Sequence, residues 1–326
     1  MPRALVTGTT GQDGSYLCEH LLALGYEVHG IVRTTSSDVS SSRIGHLVAG
    51  DEPQVTLHVA DLADTHSLIR SIDEVRPSEI YNLAAQSHVR ASFDQAVHTG
   101  NVTGLGALRL LEAVRHTDPT IRFYQASSSE MFGSTPPPQN EATPFHPRSP
   151  YAVAKVYGYW ATVNARESYG IHASNGILFN HESPRRGREF VTRKITDGIA
   201  RLLTGELTRL RLGNLDARRD WGHARDYVEA MHLIVQADEP TDLVVGTGES
   251  RSVRDFLDIA FATAGLSWER YVEIDPDLYR PAEVDYLQAD ASRAKELLGW
   301  KPRTAFRELV EEMVRADCAA HGIDLG

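Results

Sequence analysis

Arg3-Ala4-Leu5-Val6-Thr7-Gly8-Thr9-Thr10-Gly11-Gln12-Asp13-Gly14-Ser15-Tyr16-Leu17 reads as an apolar strand, a glycine-rich turn and the opening of a helix. The glycines follow Gly-x-x-Gly-x-x-Gly. The first permits a tight turn, the second lets the backbone approach an anion, and the third allows helix and strand to pack closely. The helix then presents bare N–H groups to that anion. In this context the motif points to a dinucleotide pyrophosphate, with Gly8, Thr10, Gly11, Gln12, Asp13 and Gly14 around it.

Outward from this turn, β-rich runs alternate with amphipathic stretches. Strands are predicted at Arg3–Thr7, Glu27–Val32, Val55–Val59, Glu79–Leu83, Arg122–Ala126 and His172–Leu178, and crossover helices at Ser15–Leu24, Thr65–Val75 and Val102–His116. The alternation predicts an α/β fold, a Rossmann-like doubly wound parallel sheet. It breaks down after residue 178, where the arginine-rich run Pro184-Arg185-Arg186-Gly187-Arg188 begins. Residues 1–178 are read as the dinucleotide-binding domain. Residues 179–326 are read as a smaller C-terminal α/β substrate-binding lobe, discontinuous because about 224–246 can return to the sheet.

Composition excludes several classes of function. A net charge of −11 argues against a nucleic-acid backbone as partner. Apolar runs such as Leu21-Leu22-Ala23-Leu24 are far too short to span a bilayer. Cys18 and Cys318 lack metal-ligand spacing, and the histidines form no His-Glu-x-x-His motif, so no metal is expected. Met1-Pro2-Arg3 runs straight into the first strand, and the protein is expected in the cytoplasm.

Ser128-Ser129-Glu130 closes an apolar strand, and Tyr151 and Lys155 follow on a helix that Ser149-Pro150 can start. Positions four apart share a helix face, so the lysine ammonium is expected to favour the phenolate of Tyr151 and make it a base near neutrality. Glu130, at the carboxyl end of a parallel strand, supplies a second acid/base. After the second strand, Val32-Arg33-Thr34-Thr35-Ser36 places a cation and hydroxyls where a carboxylate would bind a ribose 2'-hydroxyl, which favours NADP over NAD. Asp61-Leu62 and Leu83-Ala84-Ala85 stand where loops would pass the adenosine.

Together these residues resemble the extended short-chain dehydrogenase/reductase superfamily and, within it, the GDP-mannose 4,6-dehydratase family. The resemblance rests on residues 7–17, His-Gly-Ile-Val-Arg (29–33), Asn-Leu-Ala-Ala-Gln-Ser-His-Val (82–89) and Gln-Ala-Ser-Ser-Ser-Glu (125–130). It continues through Asn-His-Glu-Ser-Pro-Arg-Arg-Gly (180–187), Phe-Val-Thr-Arg-Lys-Ile (190–195), residues 212–224 and Tyr-Arg-Pro-Ala-Glu-Val-Asp (279–285). It implies a soluble, NADP-dependent lyase of nucleotide-sugar and deoxysugar metabolism acting on GDP-mannose, and a homo-oligomer, dimer or tetramer. By resemblance, Tyr151 takes the C4 hydroxyl proton, Ser128 bonds the C4 oxygen, Lys155 holds the nicotinamide ribose, and Glu130 works at C5 and C6. His181 and Arg186 would lie toward the cofactor, and Ser87 toward both ligands. Asn180, Val191, Lys194, Gly213, Arg218, Arg280 and Glu283 would contact the GDP-sugar.

The chain departs from the family pattern at Thr34, where a second arginine is common, in the loop Asp38-Val39-Ser40-Ser41-Ser42-Arg43, at His98, and at Gln288-Ala289-Asp290. A related NDP-sugar 4-reductase or epimerase is the alternative reading, and a non-catalytic NADP-sensing protein a further one. Glu130 discriminates, because reduction or 4-epimerisation needs only the tyrosine relay.

Overall fold

Side chains from the strands of the first half enter two apolar layers, one on either side of a central sheet. A computed structural model describes residues 1–33, 39–279 and 282–325; Thr34, Thr35, Ser36, Asp38 and Arg280 lie outside the described residues. The strands are β1 (Arg3–Thr7), β2 (Glu27–Val32), β3 (Val55–Val59), β4 (Glu79–Asn82), β5 (Arg122–Ser128), β6 (Ala173–Leu178), β7 (Asn180–Glu182), β8 (Leu210–Leu212), β9 (Arg218–His223), β10 (Asp242–Val245), β11 (Ser250–Ser252) and β12 (Val272–Ile274). The main sheet runs β10-β6-β5-β4-β1-β2-β3, and every neighbouring pair in it is parallel. Strand order reverses between β1 and β4, the switch point at which doubly wound sheets open a crevice.

The helices are α1 (Gln12–Ala23), α2 (Gly45–Val48), α3 (Thr65–Val75), α4 (Val89–Asp94), α5 (Ala96–Thr99), α6 (Gly106–Thr117), α7 (Pro150–Tyr169), α8 (Val191–Leu203), α9 (Ala224–Gln236), α10 (Val253–Thr263), α11 (Ser292–Leu298) and α12 (Phe306–Ala320). Ala4, Val6, Val28, Tyr81 and Tyr124 point into a core with Leu17 and Leu21 of α1 and Met231 and Ile234 of α9. The intervening Leu5, Ile31, Ile80 and Phe123 point the other way, onto Leu68 and Ile72 of α3 and Leu110 of α6. This is the two-residue period of a strand buried on both faces. Residues 224–245 belong to this sheet, because α9 packs on α1 and β10 pairs with β6.

The third crossover helix starts earlier than its sequence pattern predicts. Chain 96–117 is helical throughout, α5 passing through a π-helical stretch (Gly100–Leu105) into α6. Gly100, Gly104 and Gly106 weaken the local helix signal, and packing on α7 overrides it: a Cβ on Gly104 would stand 3.3 Å from Ala154 O. Val39–Ser41, read as loop, form a 3-10 turn before α2.

The remaining elements gather around a separate core of Ile195, Ile199, Leu210, Trp221, Phe256, Leu309 and Met313, drawn from α8, β8, β9, α10 and α12. A three-stranded sheet, β11-β9-β7, joins this part to the end of β6. Gln288-Ala289-Asp290 is clipped to residue 139: Gln139 N–H donates to Gln288 O at 2.8 Å, and Asp290 N–H to Gln139 O at 2.9 Å. Among the described residues, no helix is long and apolar enough to cross a membrane.

Close approach fixes the glycine turn. Gly8 has φ +71°, and a Cβ on Gly14 would lie 2.3 Å from Gly8 O, a backbone atom with nowhere to move. Gly14→Ala is therefore expected to destabilise the fold by about 1–3 kcal/mol, read as a lower urea midpoint; an unchanged midpoint would show that the turn can relax.

Candidate active site

The carboxyl ends of β1, β4, β5 and β6 open into a cavity of about 1140 Å³, closed on its far side by residues 180–194, 212–221 and Glu283. At its floor, strands β1, β4 and β5 are tied by one chain of side chains. The Thr7 hydroxyl donates to Asn82 Oδ1 at 2.7 Å and accepts from the Leu83 and Ala84 N–H groups at 3.1 and 3.0 Å. Asn82 Nδ2 donates to Gln125 Oε1 at 2.8 Å, Gln125 Nε2 to Ala126 O at 3.1 Å, and Lys155 Nζ to the same carbonyl at 2.6 Å. Gly8 lies against Ala84, whose N would be 2.9 Å from an added Cβ.

The start of α1 faces this cavity with Gly11 at its N-cap and no side chain capping it. Its orphan N–H groups are available to an anion. The closest acid there, Asp13, is already committed: its Oδ2 lies 2.9 Å from His181 Nε2, and Gln12 Nε2 donates to the His181 carbonyl at 3.1 Å. Burial alone would raise the Asp13 pKa, but the His181 charge and hydrogen bond overcome it and hold the carboxyl at about 2. For His181 burial opposes the charge, and Asp13 prevails, raising the imidazole above its ordinary 6.5. His181 Nδ1 bonds Phe179 O at 2.7 Å, and its ring stacks on Tyr227. The turn is thus left with N–H groups that no side chain caps and with its acid paired to His181, which fits a dinucleotide pyrophosphate.

Ser128 ends β5, and its hydroxyl accepts from Glu130 N–H at 3.3 Å, which turns the chain into a short 3-10 helix. Tyr151 and Lys155 sit one turn apart on α7. Ser149 caps that helix by accepting from Ala152 N–H, and Pro150 occupies its first turn. The Tyr151 N–H donates to Ser92 Oγ at 3.2 Å, and the phenol is hydrogen-bonded to Ser128. Ser128, Glu130, Tyr151 and Lys155 are 9%, 7%, 8% and 4% exposed, so protein rather than water sets their charges.

Here the sequence expectation needs revision. Burial dominates Tyr151 and pushes its phenol up to about 12; the Ser128 bond works against this and the Glu130 charge adds to it. Burial likewise brings Lys155 down to about 8, with the Asp13 charge opposing. Lys155 Nζ is directed to Ala126 O and stands 5.7 Å from the Tyr151 ring centroid. The protein alone therefore holds Tyr151 protonated at neutral pH, because desolvation of the phenolate outweighs a lysine at that range.

The same cavity is lined by Gly8, Thr10, Gly11, Gln12, Asp13, Gly14, Arg33, Asp61, Leu62, Leu83, Ala84, Ala85, Ser87, His98, His181 and Arg186, and by Asn180, Val191, Lys194, Gly213 and Glu283. Arg186 lies over the Phe190 ring at 3.6 Å, with Nε 3.0 Å from Glu182. Burial lowers the pKa of Lys194 against the opposing charge of Asp275. Arg218 does not line the cavity; its Nη2 donates to Ser250 O at 2.9 Å. Arg219 lines it instead, with Ala217 and Trp221, as the two-residue period of β9 requires. Arg43, missed in the sequence, also lines it. Among the described residues, no group of three His, Cys, Asp or Glu could hold a metal ion.

Sheet order, glycine turn and the Ser128–Tyr151–Lys155 set define a short-chain dehydrogenase/reductase of the extended type. Within that class the chain belongs to the GDP-mannose 4,6 dehydratase family, whose model matches residues 5–313. It is 58% identical to GDP-mannose 4,6 dehydratase 2 of Arabidopsis thaliana over 322 residues, 96% of this chain and 86% of that protein. It is 54% identical to the GDP-mannose 4,6 dehydratase of Homo sapiens over 338 residues, 96% of this chain and 91% of that one. The UDP-glucose 4-epimerase of Thermus thermophilus, solved in complex with NAD, superposes with a TM-score of 0.84 at 26% identity, covering 97% of this chain and 98% of that one. The dTDP-glucose 4,6-dehydratase of Streptomyces venezuelae shares the fold, with a TM-score of 0.86 at 23% identity over 98% of each chain.

The Asp13–His181 pair carries a pH signature. Asp13 titrates lower when folded, so its contribution is present above its ordinary 3.8 and is lost as pH falls toward about 2. His181 titrates higher when folded, so its contribution is complete below 6.5 and is lost as pH rises through the raised value. The melting-temperature gap between wild type and His181→Gln should be widest between these limits and narrow above neutrality. A gap independent of pH would mean that the contact is not an ion pair.

Proposed function

We propose that the protein converts GDP-D-mannose to GDP-4-keto-6-deoxy-D-mannose, as a hydro-lyase with NADP as its bound cofactor. The observation that carries the reading is the buried Glu130 carboxylate, which opens onto the same cavity as the Ser128–Tyr151 pair. Oxidation at C4 needs one proton acceptor, whereas eliminating the C6 hydroxyl needs a second group to take the C5 proton and return a proton to the departing oxygen. Glu130 is that second group. A 4-reductase or epimerase would leave it without a task.

Tyr151 receives the proton of the C4 hydroxyl, and Ser128, already bonded to the phenol, bonds the C4 oxygen. NADP, when bound, supplies the acceptor for the C4 hydride and its donor back to C6, and brings a positive nicotinamide ring in its oxidised form. That charge, added to Lys155, offsets the burial that keeps the phenol protonated. Glu130 then removes the C5 proton and protonates the C6 hydroxyl, which leaves as water; when hydride adds to C6 of the resulting 4-keto-5,6-ene, C5 takes up a proton, balanced by the one that Tyr151 took from the C4 hydroxyl. The cycle returns the cofactor to its starting state, so NADP is needed in catalytic amounts.

Residues 1–178 with about 224–246 would hold the dinucleotide, and the rest of 179–326 the GDP-sugar. Lys194 and Arg219, cations of that second part which line the cavity, suit a diphosphate. Arg33, where a 2'-hydroxyl-binding carboxylate would stand, supports NADP over NAD. Incubation with catalytic NADP and a panel of GDP-, UDP- and dTDP-hexoses should remove one water from GDP-mannose and from no other. Isomerisation without loss of mass would move the assignment to an epimerase.

Two variants separate the proton steps. Glu130→Gln should still reduce NADP with GDP-mannose yet release product slower by about 10²–10⁴-fold, the usual worth of an acid/base group; wild-type release of dehydrated product would remove Glu130 from the mechanism. Tyr151→Phe should show no cofactor reduction with GDP-mannose, read as the absorbance of reduced nicotinamide; reduction at the wild-type rate would remove Tyr151 from the oxidation step.

A further inference from the structure

N–H groups in the first turn of a helix have no partner within the helix, and in α7 that turn carries Tyr151. Pro150 has no N–H to satisfy, and the Ala152 N–H donates to Ser149 Oγ at 3.1 Å. The Val153 N–H begins the helical ladder, donating to Ser149 O at 3.0 Å. The Tyr151 N–H instead reaches another helix: its acceptor is Ser92 Oγ of α4, at 3.2 Å. Ser92 is 0% exposed, so water has no access to this contact. Its own hydroxyl donates to Val89 O at 2.6 Å, and its N–H to His88 O at 3.2 Å.

Ser92 thus joins two parts of the active site without lining the cavity itself. On one side are Ser87, His88, Val89 and Arg90, which do line it, with His88 capping α4 by accepting from Ala91 N–H at 3.2 Å. On the other is the backbone of Tyr151, whose phenol is bonded to Ser128. Without the Ser92 acceptor, the Tyr151 N–H would be buried and unpaired, and the turn would have to move to satisfy it. Proton and hydride transfer tolerate little movement, since a displacement of about 1 Å can cost about 100-fold in rate. We propose that Ser92 is a positioning residue for the C4 oxidation, holding Tyr151 in register with Ser128 and with the cavity wall at 87–90. The proposal rests on the dehydratase reading and deepens it: a hydroxyl outside the cavity, on a different helix, sets where the phenol stands.

The full chain carrying Glu130→Gln isolates the oxidation, because it is expected to reduce NADP with GDP-mannose while elimination is blocked. Two further substitutions are made in that parent: Ser92→Ala, and Ser92→Cys, which is close to serine in size but a weak acceptor. Each should slow the single-turnover appearance of reduced nicotinamide by about 10–100-fold. Calorimetric titration should find NADP affinity within about threefold of the parent, since Ser92 lies outside the cavity. Deuterium at C4 of GDP-mannose should slow the variants' phase further, which places the loss in hydride transfer. A variant that loses amplitude but keeps the parent's rate has only lost folded protein, and that result would overturn the proposal. So would a slowed phase indifferent to deuterium, or NADP affinity that falls as far as the rate. A parent that reduces no NADP at all would sink the dehydratase reading and this proposal with it, a result visible before Ser92 is changed.

Discussion

The Thr7 hydroxyl is the contact on which the site depends. By donating to Asn82 and accepting from two N–H groups beyond it, Thr7 binds the tip of β1 to that of β4 where the strand order reverses. The crevice then has a rigid floor, and Gly8 can lie against Ala84 without a side chain between them. The chain continues through Asn82 and Gln125 to the Ala126 carbonyl that receives Lys155. The strand that leads into the glycine turn and Lys155 are therefore parts of one buried hydrogen-bonded line. Such networks are stiff when every member is satisfied.

Burial sets the charges along that line. It drives Tyr151 toward its neutral form and lowers Lys155, so the protein resists forming a phenolate on its own. At the other end, His181 pairs with Asp13 and so ties β7 to the glycine turn.

Much of this was legible in the sequence. Six strands of the sheet, the glycine turn, the cap of α7 and the placing of Tyr151 and Lys155 one turn apart on that helix follow from local pattern, because apolar period, capping and i,i+4 spacing act over a few residues. What was not legible depends on long-range packing. Asp13 and His181 are 168 positions apart, and Arg43 meets a carbonyl 142 positions away. The balance that raises the Tyr151 pKa depends on burial, which spacing alone does not report. Arg218 is a different case: Ala217, Arg219 and Trp221 alternate toward the cavity, so the period of β9 could have selected Arg219 in advance.

The central claim is that one cavity oxidises C4, eliminates water across C5 and C6, and returns the same hydride to C6. The direct test uses GDP-mannose deuterated at C4, with the protein and catalytic NADP, and locates the label in the product by NMR. Deuterium at C6 of a 4-keto-6-deoxy product, with no net reduction of cofactor, is the result the account predicts. Label remaining at C4 in an unchanged hexose, or lost to solvent or to accumulating reduced cofactor, would contradict it.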